Sequence, residues 1–216
     1  MKTKLGVVLS GGGAKGAYEA GFLKALSEFN IQPDAIAGTS IGALNGSLYS
    51  ANVHTKEVAV LVDKIWKDLA KTPALQADKK KVFKNIVEVI TFFSPLAPVS
   101  RLAKIISKGN DKEGVLSTSP VSNILEKYVP VDKLLNGLPF YVGVTKSSGN
   151  FKDFLRIIEM ENNGKTEYLK IQSLNKDDMY KAILASAALP LAFDAQEVNG
   201  VHYRDGCLGS LNNEWG

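Results

Sequence analysis

Along the chain, apolar and polar positions follow two different periods. The β-branched run "KLGVVLS" (4–10) stops at three consecutive glycines, and its unbroken apolar character predicts a strand buried in a parallel sheet. In "AYEAGFLKALSEF" (17–29), Ala17, Ala20, Phe22, Leu23, Leu26 and Phe29 recur near helical spacing and predict a helix with those positions inward. "PDAIAGTSIGALNGSLYSA" (33–51) repeats the arrangement: a brief strand to Ala37, a Gly-bounded turn, then a helix of small residues. Two successive strand-turn-helix units predict an α/β fold with parallel strands.

Residues 54–84 read as a helix with a stripe of Val58, Leu61, Val62, Ile65, Trp66 and Leu69, and lysines on its other face. "ITFFSPLAPVSRLAKIISKGNDKEG" (90–114) breaks the pattern. Two prolines interrupt it, its first half is strongly apolar, and its second half is amphipathic with Arg101, Lys104 and Lys108. It reads either as a core helix with a connecting loop or as a lid or membrane-contacting flap. "STSPVSNILEKYV" (117–129) predicts a helix capped by Ser119 with Pro120 at its first position. Strands are expected at 138–148 and 166–173, a helix over 177–193 ending near Pro190, and a strand pair over 196–206 turning at Asn199-Gly200.

Composition narrows the classes. With 45% hydrophobic and 22% charged residues the chain matches ordinary globular proteins, which excludes disordered and fibrous classes. A length of 216 residues suits one domain, 1–216, with 54–115 as a variable, lid-like helical region. The net charge of +4 is compatible with contact to anionic lipid surfaces. No arginine-rich block carries interleaved aromatics, so nucleic-acid binding is not expected. Cys207 is the single cysteine, which excludes an internal disulfide and a Cys-based zinc cluster and fits a cytoplasmic location. The N-terminal apolar run ends at Leu9, too short for a signal peptide, and no window approaches the roughly 20 apolar residues of a membrane span. The expectation is a protein that is soluble or peripheral at a membrane, with no cofactor and no metal.

Two motifs carry chemistry. Gly11, Gly13 and Gly16 satisfy G-x-G-x-x-G between a predicted strand and helix, the dinucleotide-binding spacing, with Asp34 downstream as a possible ribose contact. "GTSIG" (38–42) satisfies G-x-S-x-G at the next strand-to-helix switch. There Ser40 would occupy a strained turn, and side chains at Gly38 or Gly42 would clash with neighbouring backbone. The following helix would direct amide donors and its positive end at a developing oxyanion. A serine nucleophile needs a base. His54 and His202 are the only histidines, and neither falls in a triad arrangement. Asp205 before Gly206 is the better candidate, although an acid at that position is also ordinary turn chemistry.

"SGGGAKGAYEAG", "GTSIGALNG" and "ASAALPLAFDAQEVNGVHYRDG" resemble, in order, the three hallmark blocks of the patatin-like phospholipases. The resemblance runs from about Leu5 to Asn213 and is weakest over 54–115. It implies a three-layer α/β/α sandwich with a mostly parallel sheet. It also implies a Ser-Asp dyad with Ser40 as nucleophile and Asp205 as general base, which accounts for the scarcity of histidine. By the same resemblance Gly11, Gly12, Gly13, Lys15 and Gly16 form an oxyanion hole, and the substrate is a phospholipid or lysophospholipid; the basic charge and the segment 90–109 add an expectation of docking to anionic bilayers. The block "KAILASAALPLAF" is assigned close packing and no chemistry. The sequence departs from the family at Cys207, where Gly or Ala usually follows Asp-Gly, and in "CLGSLNNEWG", where an Asn-x-Pro-like stretch is usual. The remaining alternatives are a catalytically silent scaffold of this family and a nucleotide-binding module.

Overall fold

The computed structural model describes residues 3–53, 58–71, 119–147, 165–188 and 193–210. Strands β1 (Gly6–Leu9) and β2 (Ala35–Thr39) are each followed by a turn and a helix, α1 (Gly16–Glu28) and α2 (Ile41–Asn52). Then come α3 (Val58–Lys71), α4 (Ser119–Tyr128), α5 (Val131–Leu135), β3 (Phe140–Ser147), β4 (Thr166–Lys170), α6 (Lys176–Ser186), β5 (Gln196–Val198), β6 (Val201–Asp205) and α7 (Cys207–Ser210). The chain divides into two compact units, Met1–Trp66 with Gly114–Gly216, and Lys67–Glu113. All six strands belong to the first unit. The segment 90–114 lies outside the described residues.

The register of β3 explains the architecture. β4 runs antiparallel along one edge of β3, from Thr145 down to Tyr141. The opposite edge is shared: β2 pairs parallel with Phe140–Gly143, and β6 pairs antiparallel with Val144–Ser147. β1 extends the sheet beyond β2 and β5 extends it beyond β6. Four of the six strands, β1, β2, β3 and β5, therefore point one way, and the fold is the mostly parallel α/β/α sandwich expected. β2 and β6 approach each other head-on, with Thr39 beside Gly143 and Asp205 beside Val144.

Packing corrects several boundaries and faces. β1 is buried on one face only: Val7 and Leu9 are buried while Val8, on the other face, is 76% exposed, and among the described residues the strand pairs only with β2. On α1 the buried stripe is Gly16, Ala20, Leu23 and Leu26, whereas Ala17 and Phe22 lie off it and Phe29, at the helix end, is 74% exposed. The small residues face inward because Gly16 packs against Ile41 and Trp66. α2 is buried nearly all round, and its polar residues are satisfied: Ser50 Oγ donates to Leu138 O at 2.7 Å and Asn52 Nδ2 to Tyr128 O at 3.0 Å.

α6 starts at an Asn175 cap accepting from Asp178 N and stops at Ser186, one turn before the expected end near Pro190. The sequence supplies the reason: in a continued helix the Pro190 ring would clash with the carbonyl of residue 186. The expected strand over 166–173 gives way to a 3-10 turn at Ile171–Ser173, and α5, opened by Pro130, was not anticipated. The β5–β6 hairpin turns at Asn199 and Gly200 with φ of 49° and 75°, the left-handed pair of a type I′ turn, as its sequence predicts. Among the described residues no helix is long and apolar enough to cross a membrane.

Candidate active site

Ser40 follows β2 and precedes α2 with φ 56° and ψ −124°, a conformation that side-chain-bearing residues rarely adopt. Its flanking glycines make the turn possible. A Cβ on Gly38 would strike the Gly42 carbonyl, and one on Gly42 would lie 2.5 Å from Leu9 O. Both obstacles are backbone, so neither can swing aside. The Ser40 N–H donates to Ser186 Oγ at 2.9 Å, and the Ser40 carbonyl accepts from Ala43 N at 2.9 Å.

Asp205 ends β6 and is fully buried. Its Oδ1 accepts from Cys207 N at 2.9 Å, the turn contact expected of an acid before glycine. Its Oδ2 is also buried and, among the described residues, has no hydrogen-bond partner. Burial raises the carboxyl from the ordinary aspartate range to about 6, against the lowering influence of the Cys207 N–H, the Ser40 hydroxyl and the Cys207 thiol. Ser40 is thus close enough to act on the carboxyl without making a hydrogen bond of ordinary geometry to Oδ2. Burial and the adjacent carboxylate push the Cys207 thiol far above the usual range, so it is a neutral packing group.

The glycine turn closes the third side. A Cβ on Gly11 would overlap Cys207 Sγ and lie 3.1 Å from Ser40 Cβ, so the turn, the serine and the residue after Asp205-Gly206 share one small space. Gly12 and Gly13 hold φ of 146° and 55°, and a 3-10 turn over Gly13–Lys15 leads into α1 at Gly16. Among the described residues, the N–H groups of Gly11, Gly12 and Gly13 donate no hydrogen bond. Lys15 is exposed, its stem folded over Gly12. Behind the turn, Asn45 Nδ2 donates to Gly16 O at 2.9 Å and to Glu19 Oε2 at 3.1 Å, while Trp66 Nε1 donates to Asn45 Oδ1 at 3.0 Å. Burial raises the Glu19 carboxyl above the ordinary glutamate range, against the lowering influence of the Asn45 side chain and the nearby Ser10 N–H. This network ties the end of the glycine turn, where α1 begins, to α2.

Other sequence candidates stand apart. Asp34 Oδ2 accepts from Leu5 N at 2.7 Å, at the opening of β1 and β2, whereas the glycine turn follows their far ends. Four residues of strand separate them by roughly 13 Å, which is the wrong geometry for a dinucleotide's ribose contact. His202 is paired across from Ser147, three residues before Asp205, and its Nε2 lies 3.9 Å from Glu197 Oε2. His54 lies outside the described residues. No three His, Cys, Asp or Glu side chains among the described residues come together as metal ligands. Ser186, Asn45 and Glu19 were not anticipated; each sits within or beside a motif block, but nothing in spacing reveals a side-chain partner far along the chain.

A family model described as patatin-like phospholipase matches residues 7–213. A patatin-like phospholipase domain-containing protein of Caenorhabditis elegans, M110.7, is 49% identical over 59 residues, which are 27% of this chain and 5% of that protein. The lysophospholipase nte1 of Aspergillus terreus is 56% identical over 46 residues, 21% of this chain and 3% of that protein. The neuropathy target esterase sws of Drosophila sechellia is 50% identical over 48 residues, 22% of this chain and 3% of its own length. The aligned stretches thus cover only a small fraction of these longer relatives. Among solved structures, VipD from Legionella pneumophila has 17% identity and a TM-score of 0.48, covering 100% of this chain and 47% of its own. With the family model spanning all three motif blocks and the segments between them, the chain belongs to the patatin-like phospholipase family.

Proposed function

We propose that the protein is a serine acyl hydrolase that cleaves fatty-acyl esters of phospholipids or lysophospholipids through Ser40 and Asp205. The observation that carries this reading is the meeting of a strained serine turn with a buried aspartate whose Oδ2 is unpartnered and whose pKa is raised to about 6. Asp205 accepts the Ser40 proton as Oγ attacks the ester carbonyl. The N–H groups of the Gly11–Gly13 turn face the oxyanion, with Lys15 adding positive potential at the rim. The tetrahedral intermediate collapses to an acyl-serine and releases the alcohol, which takes up the proton from Asp205. Water, deprotonated by Asp205, then attacks the acyl-enzyme, and collapse releases the fatty acid as Asp205 returns the proton to Ser40 Oγ. The lysophospholipase name of the Aspergillus relative supports a lipid ester as the substrate class. The net charge of +4 supports contact with anionic bilayers, which vesicle co-sedimentation tests: equal binding to neutral vesicles would refute it.

The test of the dyad is labelling with a fluorophosphonate probe and mass mapping of the adduct. Wild type should label at Ser40, and Ser40→Ala and Asp205→Asn should both lose labelling. A wild type that does not label would support a silent, lipid-binding scaffold instead.

A further inference from the structure

We propose that Ser186, with the last turn of α6, is a positioning residue that holds the nucleophile's strained backbone and the base in one frame; this rests on the hydrolase reading above. Ser186 is fully buried and makes two hydrogen bonds that fix the sense of its hydroxyl. Its Oγ accepts from Ser40 N at 2.9 Å, so its proton must go elsewhere, and it donates to Gly143 O at 2.6 Å. Gly143 is the β3 residue paired with Thr39, and a Cβ on Gly206 would strike its carbonyl. One hydroxyl therefore bridges the residue after β2 and the middle of β3, at a carbonyl that Gly206 approaches closely. Two residues on, Ala188 O accepts from Asp205 N at 3.3 Å. The segment 186–188 thus holds the amide of Ser40 directly and the amide of Asp205 directly, from an element that contributes no reacting group.

The Ser40 amide needs such a holder. With φ positive it does not continue the β2 ladder, and as the cap of α2 it has no helical carbonyl to donate to. Serine suits position 186 because a hydroxyl both accepts and donates on a short stem. Alanine would leave the Ser40 N–H and the Gly143 carbonyl buried without partners. The turn would relax, moving Oγ relative to Asp205 Oδ2 and the glycine turn, and displacements on the order of 1 Å can cost about 10²-fold in rate.

The experiment pairs residue-resolved amide hydrogen exchange with ester kinetics on wild type, Ser186→Ala and Ser186→Thr. In wild type the Ser40 amide should be among the strongly protected amides; exchange as fast as an open loop would overturn the proposal without recourse to any variant. In folded Ser186→Ala, Ser40 exchange should accelerate at least about tenfold and kcat should fall about 10²-fold, with KM within about twofold. The acid limb of the pH profile should stay close to its wild-type position, because the burial of Asp205, the largest cause of its raised value, is unchanged. Recovery of kcat in Ser186→Thr, which keeps the hydroxyl, supports the role. Equal turnover by wild type and folded Ser186→Ala refutes it. If wild type itself neither turns over nor labels, the hydrolase reading fails first, and the positioning role falls with it even where Ser40 is protected.

Discussion

Ser40 is held at φ 56° by its surroundings, since a non-glycine residue in that conformation costs about 1–3 kcal/mol on its own. Gly38 and Gly42 are two of the contacts that enforce it, and each faces backbone that cannot yield. Gly38→Ala and Gly42→Ala should therefore lower kcat by at least about 10²-fold, read as loss of probe labelling in protein whose circular dichroism is retained. His202→Ala should leave turnover within about twofold of wild type, because His202 is directed to Glu197 and not to Ser40 or Asp205. At this scale G-x-S-x-G located the strained serine because the glycines that the turn needs lie next to it in the chain. Ser186 was not legible, because its partner Ser40 lies 146 positions away.

Between elements, the contact that matters is the one between α2 and the entry to α1. Asn45 is fully buried on α2, donates to Gly16 O and Glu19, and accepts from Trp66. Asn45→Ala would leave the Trp66 N–H without its acceptor and remove the amide donor to Glu19, and a loss of about 1–3 kcal/mol in stability is expected, measured by urea denaturation. The exposed face of α1 should respond in the opposite sense. Gly21 is exposed with nothing within 4 Å of an added Cβ, so Gly21→Ala should raise stability by about 0.5–1 kcal/mol. Periodicity found α1 but named the wrong aromatic positions as inward. Phe22 and Phe29 satisfy a helical repeat as well as Leu23 and Leu26 do, and only the close approach of Gly16 to Ile41 and Trp66 selects the small-residue face.

Across the whole molecule, Asp205 couples activity to stability in opposite directions. Its value of about 6 in the fold lies above the unfolded aspartate value near 3.9. The neutral carboxyl favours the folded state at pH below about 4, and that advantage, about 3 kcal/mol, is lost as pH rises through 6. Ionised Asp205 is nevertheless the form that can act as base, so kcat/KM should rise with pH through an acid limb near 6. Asp205→Asn should abolish turnover yet raise Tm at pH 8 by several degrees, and the difference from wild type should vanish near pH 4. Scanning calorimetry across that range checks the sign.

The sequence alone determined the α/β class, the paired strand-turn-helix units, the β5–β6 hairpin and the identity of Ser40 and Asp205 as candidates. Each of these depends on residues adjacent or nearly adjacent in the chain: glycines that admit a turn, branched residues that favour a strand, Asn-Gly at a hairpin. The tertiary structure decided the rest. It set β2 and β6 end to end on one edge of β3, which brings Ser40 and Asp205 together from 165 positions apart. It buried Asp205 enough to raise its pKa, placed Asp34 at the far end of the sheet from the glycine turn, and set the end of α6 against the amides of Ser40 and Asp205. Burial and long-range pairing depend on what the rest of the chain contributes at a point in space, and local spacing carries no record of that.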